Sequence, residues 1–173
     1  PFAGQIFCGD QGRANVFRIV LDKVDGEFQG ACIKFADNLE SGVIRNAFAS
    51  DGSLWIGQTG RGWGSHGGKE FGLKRIAYNP KIVPSEIQTI TLTSAGFRIG
   101  FTKPIDKALA TKLENYDIRH WGYHYHGKYG SPKVDDKAEK VTEAKIIDAK
   151  TIEIKVNLVT KTVYQVKLDK IKF

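Results

Sequence analysis

The chain has 173 residues, 41% hydrophobic and 26% charged, with 19 Gly and 5 Pro. That composition belongs to a globular chain of one large or two small domains, and it excludes disordered, collagen-like and disulfide-dense classes. The net charge of +7 sits in the second half, since residues 1–79 hold 9 Lys+Arg against 8 Asp+Glu and residues 80–173 hold 17 against 11. Those late cations are mostly single Lys residues between apolar ones, the pattern of a solvated strand face. No nucleic-acid-reading module accompanies them.

No apolar run reaches the roughly 18 residues of a membrane span. No basic-then-apolar leader opens the chain. The sequence starts at Pro1 and holds no Met, which reads as a piece of a longer product. Its two cysteines, Cys8 and Cys32, form no CxxC or CxxCH spacing. That leaves one disulfide or two small apolar thiols inside strands.

The first half repeats itself. Ile6-Phe7-Cys8-Gly9-Asp10-Gln11-Gly12-Arg13 matches Leu54-Trp55-Ile56-Gly57-Gln58-Thr59-Gly60-Arg61. Phe17-Arg18-Ile19-Val20 matches Lys74-Arg75-Ile76-Ala77, at a wider separation, so the second copy carries an insertion around Arg61–Gly72. The step from Ile6 to Leu54 lies within the roughly 40–50 residues of propeller blades.

Strand patterning agrees. Phe17, Ile19 and Leu21 alternate with Arg18, Val20 and Asp22, as in a half-buried strand. Val24-Asp25-Gly26-Glu27 and Ser50-Asp51-Gly52-Ser53 are Asp-Gly turns between such runs. Residues 5–9, 15–22 and 27–35 are expected as the second to fourth strands of one blade, and residues 44–49, 53–58 and 71–78 as the first to third strands of the next. Two partial blades close no ring and leave raw strand edges.

Alternate connections of an up-and-down blade emerge on opposite faces. The Asp-Gly turns fall on one. The other receives Asp10–Ala14, Asn38–Gly42 and Thr59–Glu70, and with them Arg13, Arg61, Trp63, His66, Lys69 and the start of the strand bearing Arg45. A cationic, Gly-rich set at one end of a propeller suits an anionic ligand. The bland alternative is a set of long turns with solvated Arg and Lys. Gly62-Trp63-Gly64-Ser65-His66-Gly67 spells GxGxxG, but no helical period follows, so it is no dinucleotide fingerprint. Glu70 follows Gly68-Lys69 where a P-loop needs Ser or Thr.

Pro80 and Pro84 mark residues 80–85 as a linker. Beyond it, residues 86–173 read as six or seven short strands, which suggests a β-sandwich. Its apolar faces are Phe97, Ile99 and Phe101, then Ile152, Ile154, Val156 and Leu158, then Tyr164, Val166 and Leu168. Glu86–Thr93 and Val141–Asp148 are weaker strands, and Asp106–Glu114 is a polar helical turn at most. In His120-Trp121-Gly122-Tyr123-His124-Tyr125-His126, a continuous strand would place His120, His124 and His126 on one face, a weak candidate set for Zn or Cu. The alternative is an aromatic core face with the histidines outward. Strand parity shifts between Ile118 and Trp121, which points to a bulge.

Phe17-Arg18-Ile19, Ile44-Arg45-Asn46-Ala47-Phe48-Ala49-Ser50-Asp51-Gly52-Ser53-Leu54-Trp55-Ile56-Gly57 and Leu73-Lys74-Arg75-Ile76 resemble the last blades of the glucose/sorbosone dehydrogenase family. Gly96-Phe97-Arg98-Ile99-Gly100-Phe101-Thr102-Lys103-Pro104-Ile105-Asp106 through Asn115-Tyr116 is similar to bacterial Ig-like domains appended to large exported proteins. The resemblance implies an all-β fold, a partial β-propeller of about two blades over residues 1–79 and an Ig-like β-sandwich over 86–173. It implies a secreted or periplasmic parent that transfers hydride from a sugar to pyrroloquinoline quinone with calcium bound. The remaining blades would be the partner of this chain and would hold the catalytic His and the calcium ligands, so His66 is not that residue.

Carried across, the family's quinone-contacting Lys falls on Gly12 beside Arg13, one Arg falls near Arg45, and a second falls on Val43. Together with the cations of the convergent loop face, this makes Arg13, Arg45, Arg61 and Lys69 the candidate cofactor-binding residues. The other expectation is a non-catalytic carbohydrate- or protein-binding propeller with an Ig-like spacer, which the replacements at Gly12 and Val43 favour.

Overall fold

A computed structural model describes residues 1–62 and 64–171. Among the described residues the fold is all-β, built of four small antiparallel sheets, none of them closed. The chain divides into two compact units, Pro1–Val83 and Pro84–Phe173.

In the first unit, β1 (Ile6–Asp10), β2 (Asn15–Val24) and β3 (Glu27–Ala36) form sheet I in that order. β4 (Val43–Phe48), β5 (Leu54–Thr59) and β6 (Phe71–Ile76) form sheet II in that order. All six strands start and stop within two residues of the positions read from the sequence. The strands are short and joined in chain order because each apolar run is cut by an Asp-Gly turn or a Gly-rich loop.

Sheets I and II pack face to face. Val16, Val43, Leu54 and Ile56 are buried between them, with Phe7, Phe35, Leu39 and Ile76 packed around. The Phe7 ring meets Phe35 of its own sheet at 4.9 Å and Phe48 of the other at 5.0 Å, both edge-on. Gly9 lies so close to Val43 that a β-carbon there would overlap the valine side chain.

The covered side of β2 is the one the alternation in sequence did not favour. Val16, Arg18 and Val20 are buried, whereas Phe17 and Ile19 are half-buried and Leu21 is exposed. Both faces of this strand are apolar, and the position of sheet II selects between them. Arg18 is fully buried: Nη1 donates to Gln5 Oε1 at 2.7 Å, and the guanidinium lies 3.9 Å from the centre of the Phe2 ring.

The strands of the second unit are β7 (Ile87–Thr93), β8 (Gly96–Phe101), β9 (Tyr116–Gly122), β10 (Val134–Glu139), β11 (Glu143–Ile146), β12 (Thr151–Lys155) and β13 (Val163–Leu168). Sheet III is ordered β11-β12-β8-β7, and sheet IV is ordered β10-β9-β13. One core joins the two sheets: Phe97, Ile99, Phe101, Ile152 and Ile154 from sheet III, Tyr116 and Ile118 from sheet IV, with Tyr164, Val166 and Leu168 against them. Ile99, Ile152 and Ile154 are wholly covered, and burying each contributes about 2 kcal/mol. A single helical turn, α1 (Lys107–Ala110), follows β8 and is capped by the Asp106 side chain accepting from Leu109 N at 3.1 Å.

Candidate functional site

The connections Asp10–Ala14, Asn38–Gly42 and Thr59–Glu70 meet at one end of the first unit. His66 N donates to Gly12 O at 3.1 Å, tying the first loop to the third. Lys69 N donates to Glu40 O at 3.0 Å, tying the third to the second. A β-carbon at Gly67 would overlap the Glu40 backbone, so this close approach requires glycine. Beneath them, the buried Ser41 donates from N to Gln58 Oε1 at 3.0 Å and from Oγ to Lys69 O at 2.6 Å. Arg61 N donates to Thr59 Oγ1 at 3.1 Å, which fixes the start of the long loop.

The expected site residues fall in different places. Arg13 follows a local turn in which its N–H donates to Asp10 Oδ1 at 3.0 Å. It lines a shallow open depression with Gly12, Gly64, Ser65 and His66. Arg61 is exposed in the long loop. Trp63 lies outside the described residues. Lys69 does not present a bare charge, because its Nζ is 2.9 Å from Glu40 Oε1, and Lys74 Nζ approaches the same oxygen at 3.2 Å. Hydrogen bonds from Lys69 and then Lys74 hold the Glu40 carboxyl below its usual range.

Arg45 pairs with Gly57 on the side of sheet II turned away from sheet I, and its Nη1 donates to Ile44 O at 2.8 Å. Val43, the position matched to a cofactor arginine, is buried between the sheets. The end of the unit thus brings Arg13 and His66 to one depression, with Arg61 exposed in the loop that also bears His66. It pairs Lys69 with Glu40, a carboxylate that Lys74 shares, and leaves Arg45 on a sheet face. Glu40 escaped notice in the sequence because its partners Lys69 and Lys74 stand far along the chain, across a loop whose path no local pattern shows.

The three histidines of the second unit do not form a set. β9 ends at Gly122, so His124 and His126 lie beyond the strand and are exposed, their rings 6.2 Å apart. His120 is on the inward side with Tyr116 and Ile118. Its Nε2 is 3.1 Å from Glu139 Oε1, and its ring lies 5.4 Å from Tyr164. The bulge is in the partner strand, where Val134 pairs with Gly122 but Lys137 with His120, and Asp135 takes a φ of 53°. Trp121 is buried as well, under the Lys133 ammonium 3.5 Å from its ring centre. Among the described residues no group of three His, Cys, Asp or Glu side chains is placed to hold a metal ion.

Cys8 and Cys32 are free and exposed rather than core residues. They flank β2 on the outer strands of sheet I, opposite Phe17 and Ile19. Partial burial, and then the neighbouring Cys8, push the Cys32 thiol above its usual range.

Comparison of the chain with family models, curated proteins and solved structures finds no match.

Proposed function

We propose that the first unit is two neighbouring blades of a larger β-propeller, and that the second is an Ig-like appendage. The observation that carries this reading is the manner of stacking. Sheets I and II lie face to face in chain order, yet each keeps an apolar outer side. Ile6, Leu21 and Phe28 stand exposed on sheet I, and Trp55, Phe71 and Leu73 on sheet II. An isolated pair of sheets needs only one apolar face apiece. Sheets apolar on both faces suit a stack that continues in both directions, and the blade-length repeat from Ile6 to Leu54 fits that stack.

The parent is read as an exported, sugar-dehydrogenase-like oxidoreductase, which would transfer hydride from a sugar carbon to pyrroloquinoline quinone with calcium bound. The quinone would supply the electron-accepting carbonyl. Of the four expected counter-charges, Arg13 and Arg61 are exposed at the loop end and fit a carboxylate-bearing ligand. Lys69, held by Glu40, and Arg45, on the outer sheet face, do not fit. A hydride-transfer site needs a base and an acceptor in near contact, and those would come from the remaining blades.

Burial of Val43 and the ion pairing of Lys69 with Glu40 favour a second reading, a non-catalytic carbohydrate- or protein-binding propeller with a spacer domain. One experiment separates the two. A propeller protein that contains this chain is titrated with quinone and calcium and assayed for sugar-dependent dye reduction. Reduction supports the oxidoreductase. Glycan binding without quinone and without turnover supports the platform.

A further inference from the structure

The internal repeat relates not only two sequences but two sides of two sheets. Cα pairing puts Ile6 and Cys8 of β1 on the outer side of sheet I and Phe7 on the side facing sheet II. In the matching β5, Leu54 and Ile56 face sheet I, and Trp55 is on the outer side. The outer side of sheet I is therefore the repeat counterpart of the side of sheet II that sheet I covers. The outer side of sheet II is the counterpart of the side of sheet I that does the covering.

The arginines follow the same rule. Arg18, on the covering side of sheet I, lies 3.9 Å from the Phe2 ring centre, and its counterpart Arg75, on the outer side of sheet II, lies 5.8 Å from that of Trp55. The interface between the sheets is thus heterologous, with one kind of face docked on another, and one free example of each kind remains.

We propose that these two free faces are complementary, so that a second copy of this chain docks head to tail, the outer side of its sheet I on the outer side of sheet II of the first. The contact would repeat the β5 and β6 part of the packing already present between sheets I and II, without the close approach of Gly9 to Val43, because sheet I has no counterpart of β4. Exposed Ile6, Leu21 and Phe28 on one face, and exposed Trp55, Phe71 and Leu73 on the other, supply the apolar area that such a contact removes from water. Of the cations at these faces, Lys34 is compensated by Asp37 at 3.3 Å and Arg75 by Asp51 at 2.6 Å, whereas Arg45 turns to the Ile44 carbonyl at 2.8 Å and Lys23 lies over the Phe28 ring at 5.4 Å. A heterologous contact adds copies in one direction, to a ring if the rotation closes and to a filament if it does not. The inference rests on the reading of the first unit as stacked sheets but not on quinone chemistry.

The test is sedimentation of residues 1–173 over a concentration series, with Leu21→Asp blocking one face and Trp55→Asp the other. Leu73→Asp serves as a second block of the sheet II face, and circular dichroism checks that each variant is folded. The unsubstituted chain should self-associate. Each single variant should be monomeric. An equimolar mixture of the Leu21→Asp and Trp55→Asp chains should give a one-to-one heterodimer, because each retains the face the other has lost. The proposal is overturned if the unsubstituted chain stays monomeric at about 100 µM, if either single variant still dimerises through a face that pairs with itself, or if the mixture forms no heterodimer. Quinone and sugar are absent throughout, so a negative dye-reduction result has no bearing on the outcome.

Discussion

Gly9 of β1 rests directly against Val43 of β4, with no room between them for a β-carbon. This contact sets how closely sheets I and II approach. Gly9→Val would force them apart. Overpacking a fitted interior costs roughly 1–3 kcal/mol, so the first unit should lose that much in a denaturant midpoint series, while Gly64→Ala, which meets no neighbour and has no left-handed φ to strain, serves as a control for glycine replacement away from the interface.

Arg18→Ala should destabilise the first unit by roughly 2–4 kcal/mol, through loss of its buried stem and of a charged hydrogen bond. It leaves Gln5 Oε1 without this donor and removes the group stacked on Phe2. Arg18→Lys should recover only part of the loss, because an ammonium lacks the planar face and the fork. Chemical denaturation of the three chains checks both statements.

The acid limb of stability should depend on Asp51. Its carboxyl is held down to about 2, first by the Ser53 hydroxyl, then by the Ser53 N–H and the Arg75 guanidinium. A carboxyl lower in the folded than in the unfolded chain stabilises fully above its unfolded value and loses that contribution as pH falls toward the folded one. The stability difference between the unsubstituted chain and Asp51→Asn should therefore hold steady above the ordinary Asp range, 3.8, and shrink between there and about 2. A difference independent of pH across that window would refute the assignment.

Glu40 decides how cationic the loop end is. Removing its charge in Glu40→Gln unmasks Lys69 and Lys74. If the depression beside Arg13 receives anions, citrate should bind the variant a few-fold more tightly than the unsubstituted chain at low salt, and added salt should erase the gain. Isothermal titration measures it. Equal affinity would remove Lys69 from any account of the site.

Residues 84–173 should fold alone, in one cooperative transition, because their core closes between sheets III and IV. Glu139→Ala, which strips the buried His120 of its Nε2 partner, should lower that stability by about 1–3 kcal/mol. Thermal unfolding of the isolated segment with and without the substitution checks both.

The strands were legible because their cues are local. Alternation around Phe97, Ile152 and Tyr164 gave the core faces of the second unit, and the Asp-Gly pairs gave two hairpins. What was not legible depends on partners far off in sequence. Nothing near Phe17 says that Arg18 will be the buried neighbour, since sheet II chooses the side. Nothing near Lys69 says that Glu40 will neutralise it. The histidine run is limited for a different reason: a shared face for His120, His124 and His126 needs a strand as far as His126, whereas pairing with β10 and β13 stops at Gly122. Strand order alone implies that the three loops converge, and the backbone bonds from His66 to Gly12 and from Lys69 to Glu40 join those same segments.

Cys8 and Cys32 turn the outer side of sheet I into a gauge of its own occupancy. Both thiols flank β2 on that side, so whatever lies over Phe17 and Ile19 shields both at once. Thiolate is the species that an alkylating reagent captures, and the raised Cys32 should react more slowly than Cys8 on a bare face. Labelling rates followed by mass spectrometry would then read coverage directly: two unequal, unprotected rates when the sheet stands alone, and a joint slowing of both when another sheet is laid upon it.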